Sequence, residues 1–167
     1  MKMMKYTDTE VVFREIPDEI TLAINLSNCP IHCEGCHSPE LWEDIGTELT
    51  FDELEKLIDN NPGVSCICFM GGDAEPDTVV VLGEFIKAKY PNLKVGWYSG
   101  QKTFPHYDLE AFDYIKIGPY IKERGGLDNP NTNQKFYEVI QASDEQGHIT
   151  SKLINTTYKF RKNEKGN

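Results

Sequence analysis

Apolar residues recur along this chain with two different periods, and the switching between them sets out the fold. Ile20-Thr-Leu22-Ala-Ile24-Asn-Leu26 alternates with a period of two, which predicts a strand. Val11-Val-Phe13 is a shorter strand-like run, joined to it by a Pro17-Asp18 turn. Thr50-Phe-Asp-Glu53 has the form of a capping box, and Leu54, Leu57 and Ile58 follow at helical spacing, so an amphipathic helix should run to about Asn60-Asn61-Pro62-Gly63. Val64 to Met70 is apolar almost throughout and reads as a buried strand ending in Gly71-Gly72-Asp73. Val79 to Lys89 reads as a helix with Val80, Leu82, Phe85 and Ile86 inward, and Leu93 to Tyr98 as the next strand, ending in Ser99-Gly100. Leu109 to Phe112 is a short helical piece, and Tyr114 to Ile117 a further strand ending in Gly118-Pro119.

Strand, loop and helix thus repeat about four times, the signature of an α/β fold with a parallel sheet and helices outside. Each strand ends in a polar or glycine-rich loop, and such loops converge on one face in barrels and open α/β sheets. Beyond this region the pattern changes. Lys122 to Gln134 is turn-rich and of a length that is often functional or mobile. Phe136 to Gln141 reads as a short helix, and His148 to Lys159 as a last hairpin or paired strands. Residues 1–160 are expected to form a single domain, with 161–167 a basic tail fraying into solvent.

The chemistry concentrates in the loop after the Ile20–Leu26 strand. There Cys29-Pro-Ile-His-Cys33-Glu-Gly-Cys36-His37 places three thiols at C-x3-C-x2-C spacing, with no fourth at matching distance. Three thiolates on one tight loop can hold three irons of a [4Fe–4S] cluster and leave the fourth open to a small molecule. A Cys3His zinc site using His32 or His37 is the first alternative, although no second ligand pair follows in the chain. Three unrelated buried cysteines is the second, but a loop carrying Pro30, His32, Glu34, Gly35 and His37 makes a poor core. Ser38 and Pro39 suit the start of a helix just beyond the loop. Cys66 and Cys68 share one face of their strand and read as small core residues.

Charge and composition narrow the function further. With 17 Lys and Arg against 27 Asp and Glu, the net charge is −10, which argues against a partner bound through nucleic-acid phosphates. No apolar run approaches the ~20 residues of a membrane span, and no leader pattern precedes Arg14. Five cysteines, three of them crowded into one loop, fit reduced thiols in the cytoplasm better than a disulfide frame.

Taken together, Cys29, Cys33 and Cys36 after one strand and Gly71-Gly72-Asp73 after the next resemble the radical S-adenosylmethionine superfamily. Within it, Cys29 to Trp42 is similar along its whole length to the activating enzymes of anaerobic (class III) ribonucleoside-triphosphate reductases, including a glycine at Gly35. Tyr98-Ser-Gly100, the strand end Asp113 to Gly118 and the Leu127 to Gln134 loop extend the likeness from about Ile20 to Gln134. Two features depart from it. The glycine-acidic-proline motif is lengthened to Gly71-Gly72-Asp73-Ala74-Glu75-Pro76, and Asn131-Thr132 stand where small residues are more usual.

The resemblance implies a partial, open (β/α) barrel. It implies that Cys29, Cys33 and Cys36 ligate a [4Fe–4S] cluster whose fourth iron is chelated by S-adenosyl-L-methionine. Reductive cleavage of that ligand to methionine and a 5′-deoxyadenosyl radical would then abstract hydrogen from a glycine of the reductase. Gly71 and Gly72 suit close approach to the ligand, or alternatively a tight turn needing positive φ. Asp73 either orients the ligand or caps the next helix. Tyr98, Ser99 and Gly100 either touch the ligand or form an ordinary strand-to-loop turn. Trp42 reads as packing beside the cysteine loop.

A barrel this short leaves an open side for a macromolecular substrate, with the acidic surface and Lys122 to Gln134 as docking candidates. Flavodoxin or ferredoxin is the implied electron donor. The competing functions are activation of another glycyl radical enzyme of the pyruvate formate-lyase type, a small-molecule radical enzyme such as a deazapurine synthase, and a non-catalytic zinc-binding interaction module.

Overall fold

A computed structural model describes residues 2–32, 39–104 and 108–165. The described residues form one eight-stranded sheet, two α-helices and three 3-10 helices. In chain order the strands are β1 (Lys5–Val12), β2 (Thr21–Leu26), β3 (Thr47–Glu48), β4 (Cys66–Met70), β5 (Lys94–Tyr98), β6 (Tyr114–Ile117), β7 (Lys135–Ser143) and β8 (Ile149–Asn155). The helices are α1 (Phe51–Asp59) and α2 (Pro76–Lys89). Across the sheet the order is β3-β1-β2-β4-β5-β6-β7-β8.

The βα rhythm lies at the centre of this sheet: β2, β4, β5 and β6 are mutually parallel. The flanks are different. β1 pairs antiparallel with β2 and β3, and β6, β7 and β8 run antiparallel in turn, so the sheet is mixed rather than wholly parallel. The short helix expected over Phe136 to Gln141 is therefore a correction: those residues lie within β7. Phe136 faces one side of the sheet while Tyr137 and Val139 face the other, a period of two that tertiary pairing with β6 and β8 enforces over local helix preference. Of the hairpin or paired strands expected over His148 to Lys159, one strand, β8, lies there; its partner is the earlier β7, and Thr157 to Lys159 belong to a 3-10 helix. The tail expected to fray from residue 161 begins within a 3-10 helix, Thr157–Lys165, whose Phe160 ring meets Phe136 edge-on at 5.0 Å.

Both α-helices cover one face. Thr50 caps α1 by accepting a hydrogen bond from the Glu53 amide at 3.1 Å, but the box is only half closed, because the Glu53 carboxylate accepts from Tyr6 Oη at 2.7 Å instead. Leu54 and Ile58 of α1 and Val79, Val80, Leu82 and Ile86 of α2 pack on Leu22, Ile24, Leu26, Ile67, Phe69, Val95, Trp97 and Ile115. Each such side chain contributes about 1.5–3 kcal/mol on burial, so this face supplies most of the apolar stabilisation.

The opposite face, the one a barrel would enclose, is filled by the chain itself. Ile16 from the β1–β2 connection, Leu127 from the late loop and Phe136 pack with Cys66 and Cys68, and Phe160 joins from the tail. Ile16 fits because Gly96 leaves room: a Cβ there would lie 2.7 Å from Ile16 Cδ1. Tyr98 and Tyr114 secure this connection through their hydroxyls, donating to the Glu15 carbonyl and the Glu19 carboxylate. Burial pushes the Cys66 and Cys68 thiols up, away from thiolate, as suits core residues.

Candidate functional site

The parallel register decides which strand ends become neighbours. Asn25, Met70, Tyr98 and Lys116 form one row across β2, β4, β5 and β6. The residues that follow therefore emerge side by side: Ser27 to Cys29, Gly71-Gly72-Asp73, Ser99-Gly100 and Gly118. This is the carboxyl edge of the parallel strands, where open α/β sheets place their sites.

The cysteine loop is fixed at its start. Ser27 Oγ donates to the Ile45 carbonyl at 2.6 Å, the Asn28 amide to Glu43 O at 2.8 Å, and the Cys29 amide to Leu41 O at 2.8 Å. Asn28 and His32 have φ of 61° and 49°, so left-handed residues bracket the Cys29-Pro30-Ile31 segment. Asn tolerates that region better than most residues. The Cys29 thiol is free and half-buried. Ile31 lies on the end of β5, where a Cβ on Gly100 would come within 3.0 Å of its Cγ1. The His32 ring stacks on Trp42 at 4.6 Å with 16° between planes, and Trp42 belongs to the 3-10 helix Pro39–Trp42. Cys33, Cys36 and His37 lie outside the described residues.

At the end of β4 the two glycines do different work. Gly71 has φ 105°; its amide donates to Tyr98 O at 3.0 Å and its carbonyl accepts from Trp97 Nε1 at 2.8 Å. Gly72 has φ 93°, and the space beside its Cα is already taken by protein: a Cβ would lie 2.6 Å from Val79 Cγ2 and 3.0 Å from Leu26 Cδ1. The pair thus meets both demands that favour glycine, positive φ and close packing.

Asp73 does not cap α2, whose N-cap is Glu75 without a side-chain bond and whose first turn is opened by Pro76. It bridges β4 to β5. Its Oδ1 accepts from Ser99 Oγ at 2.5 Å and its Oδ2 from the Gly100 amide at 2.8 Å, while Ser99 Oγ accepts from the Gln101 amide at 3.0 Å. Both side chains are buried. The Tyr98 phenol is turned away from this edge towards Glu15, and burial raises its pKa well above the ordinary tyrosine range. Of the expected ligand-side residues, then, the structure brings Gly71, Gly72, Asp73, Ser99 and Gly100 together beside Cys29, and sends the Tyr98 side chain elsewhere.

Two residues at this edge were not singled out from the sequence. Lys116 Nζ donates to the carbonyls of Ser99 at 3.1 Å and Gly118 at 3.0 Å, drawing the ends of β5 and β6 together. Only its strand-end position signalled it. Asn28 is the second, and its signal was its place before Cys29, where a turn residue of high left-handed tolerance is needed.

A family model described as a 4Fe-4S single cluster domain matches residues 20–117. The chain belongs to that family. The match covers more than half of the sequence and begins and ends with the parallel strands β2 and β6. No curated protein and no solved structure matches the chain. The described part of the loop suits the cluster this family carries. A half-buried free thiol follows a rigidly held strand end, and beside it the Trp42 Nε1–H is buried with no hydrogen-bond partner among the described residues. Cys29 would hold the cluster, with Cys33 and Cys36 completing the set by sequence spacing. Among the described residues no group of three His, Cys, Asp or Glu side chains converges, and no helix is long and apolar enough to cross a membrane.

Proposed function

We propose that this 4Fe-4S single cluster domain protein is a radical S-adenosylmethionine activase, with anaerobic ribonucleoside-triphosphate reductase as its macromolecular substrate. The observation that carries the reading is the single row of strand ends placing Cys29 beside Gly71–Asp73 and Ser99-Gly100. A reduced cluster supplies the electron that splits S-adenosylmethionine. The chain's own part is to hold that ligand. The Gly71-Gly72 turn is fixed by its own hydrogen bonds and packing at the strand edge, the Asp73–Ser99 bridge keeps β4 and β5 at fixed spacing, and Ile31 packs against Gly100 at the start of the cysteine loop.

The packed inner face supports a site at the strand edge, because Ile16, Leu127, Phe136 and Phe160 occupy the face that a barrel would enclose. A reacting group supplied by a partner protein then has to approach from outside. The late loop is a built surface rather than a loose strap. Arg124 Nε donates to Asn131 O at 2.9 Å, Thr132 Oγ1 to Gly125 O at 3.2 Å, and Leu127 is anchored in the core. Its exposed Lys122, Glu123 and Asp128 are the docking candidates. Flavodoxin or ferredoxin is the proposed donor, and no nucleic acid or membrane takes part in a cytoplasmic reaction of this kind.

Anaerobically reconstituted protein, reduced with dithionite, should convert S-adenosylmethionine to methionine and 5′-deoxyadenosine. With the reductase present, a glycyl radical should appear in the electron paramagnetic resonance spectrum. A reducible cluster whose spectrum is unchanged by S-adenosylmethionine, and which yields no 5′-deoxyadenosine, would sink the proposal. Cleavage without a reductase radical would point to another glycyl radical enzyme.

A further inference from the structure

Two contacts tie Trp42 and the residue before it to the start of the cysteine loop. The Cys29 amide bonds Leu41 O at 2.8 Å, so the residue preceding Trp42 is tied directly to Cys29. On its other side the Trp42 ring carries His32, the neighbour of Cys33, stacked at 4.6 Å. So placed, its Nε1–H is removed from solvent and has no acceptor among the described residues. A buried donor left unmet is costly, and native proteins rarely leave one so. The only other tryptophan, Trp97, has its Nε1–H satisfied by Gly71 O.

The surroundings of the loop make the identity of the acceptor specific. From Glu15 to Glu55 the chain contains no Lys or Arg, and Glu43, Asp44 and Glu48 follow the loop closely. A cluster bound by three thiolates gains negative charge on reduction, and the lysines nearest this edge are already engaged, Lys5 with Asp44 and Lys116 with the Ser99 and Gly118 carbonyls. Hydrogen bonds to cluster sulfurs are one of the levers that set reduction potential, and a neutral N–H dipole supplies one.

We infer that the Trp42 indole N–H donates a hydrogen bond to a sulfur of the bound cluster, inorganic or cysteinyl, and raises its reduction potential. The inference rests on the family's cluster and not on the proposed S-adenosylmethionine chemistry, so both measurements are made without that ligand. The first is a potentiometric titration of reconstituted protein, unaltered against Trp42→Phe, at matched iron and sulfide content. The variant's reduction equilibrium should be about tenfold less favourable, a midpoint about 59 mV more negative. An unchanged midpoint with an intact cluster overturns the inference. The second needs no substitution, and decides the matter if Trp42→Phe fails to hold a cluster. The unaltered chain, grown with nitrogen-15 indole tryptophan, should show hyperfine coupling of that nitrogen to the reduced cluster. Its absence would mean that the N–H bonds elsewhere, for instance to a main-chain carbonyl of the loop.

Discussion

Replacing Gly72 by Ala should destabilise the protein strongly, and by packing rather than by lost chemistry. The added methyl would stand 2.6 Å from Val79 Cγ2, 3.0 Å from Leu26 Cδ1 and 3.3 Å from Met4 Sδ. Val79 cannot easily turn aside, because a β-branched residue in a helix has one strongly preferred rotamer. Overpacking of this kind costs about 1–3 kcal/mol, and an L-residue in left-handed space adds about 1–2 kcal/mol. A total near ~3 kcal/mol would lower Tm by about 6–12 °C for a chain of this size. Gly71→Ala is the internal control. Its φ is equally positive at 105°, but its methyl would sit 3.4 Å from Leu26 O, so only the conformational part should appear, about 1–2 kcal/mol. Urea unfolding of the apoprotein measures both. In a double-mutant cycle, Val79→Ala should recover about 1–2 kcal/mol of the Gly72→Ala loss, since it removes the clashing methyl. Equal losses for the two glycines, together with no coupling to Val79, would refute the packing argument. Full stability with lost S-adenosylmethionine binding would instead assign Gly72 to the ligand.

Asp73→Ala should cost about 2–4 kcal/mol in urea unfolding, because the buried Ser99 hydroxyl and Gly100 amide each lose an acceptor; a loss below ~1 kcal/mol would mean that water replaces the carboxylate. Cys29→Ser should leave far-ultraviolet circular dichroism unchanged in the apoprotein while iron retained after reconstitution falls severalfold; full iron retention would remove Cys29 from the ligand set. Tyr6 is held protonated up to about 12 by its hydrogen bond to the Glu53 carboxylate. Because its folded pKa is raised, the stability it contributes is present below the ordinary tyrosine value near 10 and is lost as pH rises through about 12. Tyr6→Phe should therefore flatten the alkaline limb of the unfolding profile between those values, and an identical limb would show that the bond does not persist in solution.

The parallel centre of the fold was legible because its signals are local. β2 and β4 are buried runs bounded by turn residues, Thr50 caps α1, and Val80, Leu82 and Ile86 mark the inward face of α2, though its start at Pro76 was not foreseen. The flanks were legible only in part, in the strand-like Val11–Phe13 and in the strand near His148, because their extent and order are set by pairing. Phe136 to Gln141 contains no turn signal to separate a strand from a helix, and it becomes strand only by lying between β6 and β8. At the site, residue types and order were legible but side-chain direction was not. Asp73 and Ser99 were both expected at the strand edge, yet that they bond each other follows from the β4–β5 register, which no local pattern encodes. The Tyr98 phenol departs from the edge for a similar reason: side chains alternate along β5, so its ring must face Phe136 while Trp97 faces the helices.

That alternation also separates the two tasks of the sheet. On one face Trp97 joins the helix-covered core and reaches Gly71 O with its Nε1–H, so the main core itself holds the glycine turn. On the other, Tyr98 and Tyr114 clamp the β1–β2 connection over Cys66 and Cys68, closing the volume that a wider barrel would leave open. That leaves the edge between the faces as the candidate site. There the backbone is fixed by Asp73, Ser99 and Lys116, and Cys29 is held by its main-chain bond to Leu41 and Asn28 by its bond to Glu43. A fixed edge above a filled interior is what the proposed activase reading requires: ligand and cluster held at the edge, and a partner protein approaching from outside. Filling the interior and opening the edge are two consequences of the same register.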